Sequence, residues 1–199
     1  MSGCDCELEG TANLERQTLR ALLVINGVMF FGEIVAGWLA ESASLLADSL
    51  DMLADASVYG IALYAVGRGI RIQAKAASLS GALQVALGVG VLLEVVRRLF
   101  FGSEPVSLFM IAVGMLALVA NLTCLLLISK HREAGIHMRA SWIFSANDVI
   151  ANVGVILSGA LVMLLDSRLP DLIVGALISV IVVRGGARIL REARDARLE

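Results

Sequence analysis

Residues 45–56 read Leu45-Leu-Ala-Asp48-Ser-Leu-Asp51-Met-Leu-Ala-Asp55-Ala. The spacings of three and four place Asp48, Asp51 and Asp55 on one face of a helix. The surroundings are apolar from Ala43 to Gly67, long enough to cross a bilayer, which takes about 20 residues. One carboxylate near the middle of a membrane costs about 2.5–3.5 kcal/mol on insertion scales. Three on one stripe also repel one another. Such a stripe must face a wet cavity, hold protons or share a cation. A simple polar contact between helices would need one such residue, not three.

Five more apolar runs flank this one: Leu19–Ala40, Ala76–Phe101, Val106–Ser129, Ala140–Leu165 and Leu172–Leu190. The connections are short, and Gly102-Ser-Glu-Pro105 and Asp166-Ser-Arg-Leu-Pro170 carry turn chemistry. Six antiparallel helices follow, an all-α polytopic membrane fold. Residues 1–16 form a polar tail, 17–191 the six-helix transmembrane domain and 192–199 a short second tail. Composition agrees: 58% of the 199 residues are hydrophobic, 17% are charged and the mean hydropathy is +0.85, well outside the range of soluble domains.

An even number of helices puts both termini on one side. That side receives thirteen of the 16 Lys and Arg; the other receives Arg97, Arg98 and Arg168. The bias predicts that both termini are cytoplasmic in a cell-membrane protein. A formal net charge of -2 offers nothing for nucleic acid. The first 15 residues, polar and acidic, do not read as a cleavable signal. Cys4 and Cys6 sit in this tail, read foremost as reduced and unstructured, with a soft-metal site beside Asp5 or Glu7 as the alternative. Cys124 reads as a packing residue.

The fifth run supplies partners for the stripe: Phe144-Ser-Ala-Asn147-Asp148-Val-Ile-Ala-Asn152. Asp148 and Asn152 share a face, with Asn147 about 100° round the helix from Asp148. At a rise of about 1.5 Å per residue, Asp55 and Asp148 reach similar depths near the midplane. Carboxylate and amide oxygens make a hard or borderline divalent site. Asp48 lies nearer the outer side, as an exit ligand or proton acceptor or as a structural residue; Glu33 also lies nearer the outside, lining a cavity or meeting Asn26 or water. Asn121 and Gln84 read as interhelical hydrogen-bond formers, Asn152 as another or as a residue that orients Asp148, and Glu94, Arg97 and Arg98 as a charge cluster at a helix end. His131 and His137 read foremost as solvated loop residues, with capture of incoming metal as the alternative. Gly67, Gly69, Gly88, Gly90, Gly185 and Gly186 read as close-packing positions.

At these residues the sequence resembles the cation diffusion facilitator family of metal–proton antiporters. Its second-helix signature, Asp or His, three residues, then Asp, is matched by Asp51 and Asp55. Glu94-Val-Val-Arg97-Arg98, Val119-Ala-Asn121, Pro170-Asp171-Leu-Ile-Val-Gly and Arg188-Ile-Leu-Arg-Glu192 resemble other parts of it, over roughly residues 17 to 194. The resemblance implies metal ligation by Asp51, Asp55 and Asp148, with Asn147 or water completing the shell. It implies transport of Zn2+ foremost, with Cd2+, Co2+, Fe2+ or Mn2+ as alternatives, exchanged for protons by alternating access. No cofactor and no enzymatic activity are expected, and a homodimer is. Two departures stand out. Phe144 replaces a usual fifth-helix ligand, which makes the site harder. The family's cytoplasmic domain after the sixth helix is not present in this sequence, so the dimer is expected to be held by the membrane helices.

Two rival readings remain. A membrane phosphotransferase would need Asp-Gly and Ala-Arg just upstream of its last two aspartates, and residues 42–47 are Ser-Ala-Ser-Leu-Leu-Ala. A metal-sensing or assembly subunit would bind the ion without moving it.

Overall fold

The computed structural model describes residues 3–65, 70–129 and 136–195; the side chains of residues 1–15, 62, 65–73, 76, 130–145, 147 and 196–199 lie outside the described residues. Six helices follow in order: α1 (Gly3–Leu39), α2 (Ala43–Ala65), α3 (Ile70–Phe101), α4 (Ser107–Ser129), α5 (Ile136–Leu165) and α6 (Leu169–Asp195). Every run of the sequence reading becomes one helix. The largest difference is at the start. The tail expected to be unstructured is helical from Gly3, because its Glu, Leu, Ala, Arg and Gln are good helix formers that extend α1 beyond the apolar run.

Three connections gather at one end of the bundle. Val106 N donates to Ala40 O (3.0 Å), tying the α3–α4 loop to the end of α1. Arg168 Nη2, between α5 and α6, donates to Leu99 O at 3.3 Å. Each of the three preceding helices stops on a left-handed residue: Glu41 (φ 49°) after α1, Gly102 (φ 94°) after α3 and Asp166 (φ 46°) after α5. The helix C-terminus favours this conformation because it satisfies the last carbonyls. We refer to this as the loop end, and to the opposite end, where α1 begins and α6 finishes, as the terminal end.

The polarity is that of a bilayer protein. Val28, Phe31, Leu116, Val119, Leu126, Leu157 and Leu164 face outward, while Asn26, Glu33, Asp48, Gln84, Asn121 and Asn152 are buried. Among the described residues, five helices are long and apolar enough to cross a membrane. The remaining helix, α2, has 23 residues and sets itself apart by its three aspartates. It packs against α1, α3, α5 and α6, so its polar face is covered by protein.

α3 and α6 form one closely packed pair, where Gly81 and Gly186 bring the backbones together. A Cβ on Gly186 would stand 2.9 Å from Gly81 O, so only glycine fits without displacement. Gly88 is equally crowded by Val183. Gly90 and Gly185, expected to be packing positions as well, have nothing within 4 Å of a built Cβ. Gly67 and Gly69 lie outside the described residues.

Candidate metal centre

The N-terminus of α2 is fixed before its aspartates come into play. Ser42 caps the helix, its Oγ accepting from Leu45 N at 3.1 Å. Asp171, in the first turn of α6, takes four further donors from the same turn: Ser42 Oγ (2.7 Å), Ala43 N (2.7 Å), Ser44 N (3.0 Å) and Ser44 Oγ (2.7 Å). Gly175, one turn along, lets α6 press against Ala43, whose backbone would be 2.6 Å from an added Cβ. The loop end of α2 is therefore locked to α6, and register along α2 follows from that lock. The sequence flagged Pro170-Asp171 only as part of a resemblance. Its usable signal was Ser42-Ala-Ser44 ahead of an apolar run, an N-cap that an acidic residue on a neighbouring helix can serve.

From this anchor the stripe descends. Asp48 is buried and accepts from Asn152 Nδ2 at 2.6 Å; Asn152 Oδ1 in turn accepts from Asn121 Nδ2 at 2.9 Å. A polar relay thus joins α4, α5 and α2, as the sequence led us to expect for both asparagines. One turn on, Asp51 and Asp55 meet Asp148 of α5, whose carboxyl is within hydrogen-bond reach of each. Asp55 also accepts from the Tyr59 hydroxyl at 3.0 Å. Tyr59 was missed in the sequence, although its place four residues after Asp55 puts it on the same face. Gln84 of α3 donates to Ala54 O at 3.3 Å and closes the group on another side.

Asp51, Asp55 and Asp148 form the floor of a cavity of about 550 Å³ between α2, α3, α5 and α6. The cavity extends past Ile61 and Gly185 to Arg188 and Glu192, an exposed ion pair (2.9 Å) near the end of α6, so it reaches the surface at the terminal end. Asp48 does not line it. The structure therefore brings together three of the four expected ligands and separates Asp48 from them. The side chain of the fourth, Asn147, lies outside the described residues, as do those of Phe144, His131, His137, Cys4 and Cys6. Among the described residues, no three Asp, Glu, His or Cys side chains already surround one ion position. The carboxyls contact each other instead.

At the loop end Glu94 accepts from Arg97 Nη2 (2.6 Å) and Arg98 Nε (2.8 Å), the charge cluster expected there. Cys124 is buried and receives a long contact from Asn26 Nδ2 (3.7 Å), in keeping with a packing role.

The sequence model of the cation efflux transmembrane domain matches residues 19–196. The chain belongs to the cation efflux (cation diffusion facilitator) family. It is 30% identical over 181 residues to the zinc transporter ZitB of Yersinia pseudotuberculosis serotype I (strain IP32953), covering 84% of this chain and 58% of that protein. It is 28% identical over 201 residues to the zinc transporter ZitB of Escherichia coli (strain K12), covering 94% and 64%. Over 195 residues it is 21% identical to the cadmium, cobalt and zinc/H(+)-K(+) antiporter of Bacillus subtilis (strain 168), covering 91% and 62%. The chain thus spans 58–64% of the length of these relatives. With family membership and five apolar spans, it is a multi-pass membrane protein.

Proposed function

We propose that this chain is a divalent metal efflux transporter, zinc foremost, in which Asp51, Asp55 and Asp148 bind the ion and Asn147 or water completes its shell. The observation that carries the reading is the meeting of these three carboxyls at the floor of a cavity that reaches the surface at the terminal end. Family membership and the zinc transporters among the relatives support it. Six helices span the cell membrane, α2 included, and both termini are cytoplasmic. On that orientation the cavity faces the cytoplasm and the lock between Asp171 and the start of α2 faces outside. Two copies assemble as a homodimer.

The cycle is alternating access. A cytoplasmic metal ion enters past Arg188 and Glu192, displaces the protons that the carboxyls share, and is held by their oxygens. Rearrangement of α2 and α5 against the α3–α6 pair then closes the cavity and opens a path at the loop end. Outside protons compete for the carboxylates and release the ion.

The test is uptake into proteoliposomes under an imposed pH gradient, with Zn2+, Cd2+, Co2+, Fe2+ and Mn2+ in turn. Gradient-driven Zn2+ flux that is lost in both Asp51→Ala and Asp55→Ala is the expected result. Wild-type flux in Asp51→Ala would remove the carboxylates from the pathway. Metal binding without flux of any ion would favour the sensing or assembly reading.

A further inference from the structure

Glu33 of α1 is wholly buried, and neither of its carboxyl oxygens has a hydrogen-bond partner in the protein. Its place follows from helix packing. Gly37 lies against Leu45 and Leu46, so one turn back along α1 and one turn on along antiparallel α2 bring Glu33 beside Asp48. Asp48 and Asp51 are the charged groups that bear on it. The other helix packed on α1, α4, carries no charged residue, and Cys124 is its titratable group. Neither Glu33 nor Asp48 lines the cavity. Both sit beyond its floor, toward the loop end.

Asp171 shows what a bracing carboxylate looks like here: four donors fix it. Glu33 has no donor from the protein, and a carboxylate is acceptor-only. Holding it ionised in a dry interior next to Asp48 costs several kcal/mol, which a cation removes. Asp48 is held in position by Asn152 and, through it, Asn121. A divalent ion asks for six or more oxygens, or four for zinc. Two carboxyls with one oxygen already engaged leave three free oxygens, which suffice for a proton and hold an alkali-metal ion only with water completing its shell.

We infer that Glu33 and Asp48 form a second cation site, distinct from the metal centre, which takes a monovalent cation — a proton or an alkali-metal ion — and gives it up when the metal binds. The inference rests on the proposed metal centre, because the linkage runs through it. Asp51 is three residues from Asp48, a rise of about 4.5 Å, so a divalent ion at Asp51 repels a cation held by Asp48 and Glu33. By reciprocity, a cation at Glu33 weakens metal binding by the same factor.

The experiment is calorimetric titration of the detergent-solubilised full chain with Zn2+. Buffers of different ionisation enthalpy count the protons released per Zn2+. A parallel series replaces K+ by choline at fixed pH. Glu33→Gln, which keeps the shape and removes the charge, is expected to bind Zn2+ while releasing about one cation fewer per metal ion. Asp48→Asn should show the same loss, and Glu33→Asp should restore it. If the missing cation appears in the proton count, the site takes a proton; if it appears only as lost K+ sensitivity, it takes an alkali ion. An unchanged count in both neutral variants overturns the inference and leaves Glu33 hydrated. Failure of the wild-type protein to bind Zn2+ would instead bring down the metal centre itself, a distinct outcome.

Discussion

Two buried carboxyl groups on neighbouring helices illustrate opposite uses of one side chain. Asp171 and Asp148 both lie inside a bundle with an apolar exterior, and both face α2. Asp171 meets two backbone N–H groups and two serine hydroxyls, all donors. Asp148 meets Asp51 and Asp55, both carboxyls, over a cavity that reaches the surface. A carboxylate surrounded by donors is satisfied and holds structure. One surrounded by acceptors is unsatisfied until a proton or metal arrives, which suits it to the proposed site. The locked end of α2 also fixes the register in which Asp51 and Asp55 are presented.

The sharpest way to break this contrast is to remove each carboxyl in turn. Asp171→Ala leaves the Ala43 and Ser44 N–H groups buried without their acceptor, at about 1–3 kcal/mol for each, while the Ser42 and Ser44 hydroxyls keep only each other and Ser158 as acceptors. The expected outcome is loss of several kcal/mol of stability, read as a large drop in thermal midpoint in detergent or as failure to express. Asp55→Asn removes one acceptor from a crowded set and leaves the backbone untouched. Zn2+ affinity should fall by about a hundredfold, equivalent to about 2.7 kcal/mol, while the thermal midpoint stays level or rises. Equal destabilisation by both variants would erase the distinction between brace and site.

Much of this was legible in the sequence because apolar length and charge spacing are local properties. The six helices, the face shared by Asp51 and Asp55 and the pairing with Asp148 need only the period of a helix and the depth of each residue. What escaped depends on tertiary contact. Asp171 serves a helix 127 residues away in sequence from Ser44, and nothing local announces which terminus it caps. Gly81, unlike Gly185 and Gly90, lies at a helix crossing, and glycine count alone does not separate them. Hydropathy does not register the helical tail from Gly3, because its residues are polar yet good helix formers.

The α3–α6 contact gives a prediction of intermediate size. Gly186→Val forces a branched side chain where a Cβ already meets Gly81 O at 2.9 Å, while a Cβ at Gly185 has nothing within 4 Å. Overpacking of this kind costs about 1–3 kcal/mol. Thermal unfolding should therefore separate these adjacent positions, with the first clearly destabilised and the second near wild type. Similar effects would mean that the glycine pair does not set the approach of α3 to α6.

The smallest effect expected is at Tyr59, which links the two uses of a carboxyl in one residue. Its hydroxyl gives Asp55 the only donor described for that carboxyl, at 3.0 Å, so Asp55 is held in part as a brace and in part as a ligand. Tyr59→Phe keeps the buried ring and removes that hydrogen bond. A hydrogen bond to a charged group contributes about 1.5–3 kcal/mol in full, but here a metal ion competes for the same oxygens, so the net effect on binding is smaller. A drop in Zn2+ affinity of about threefold to tenfold, with little change in thermal midpoint, is the outcome calorimetry should give. An affinity equal to wild type would show that Asp55 is positioned by α2 alone, through the lock at its far end.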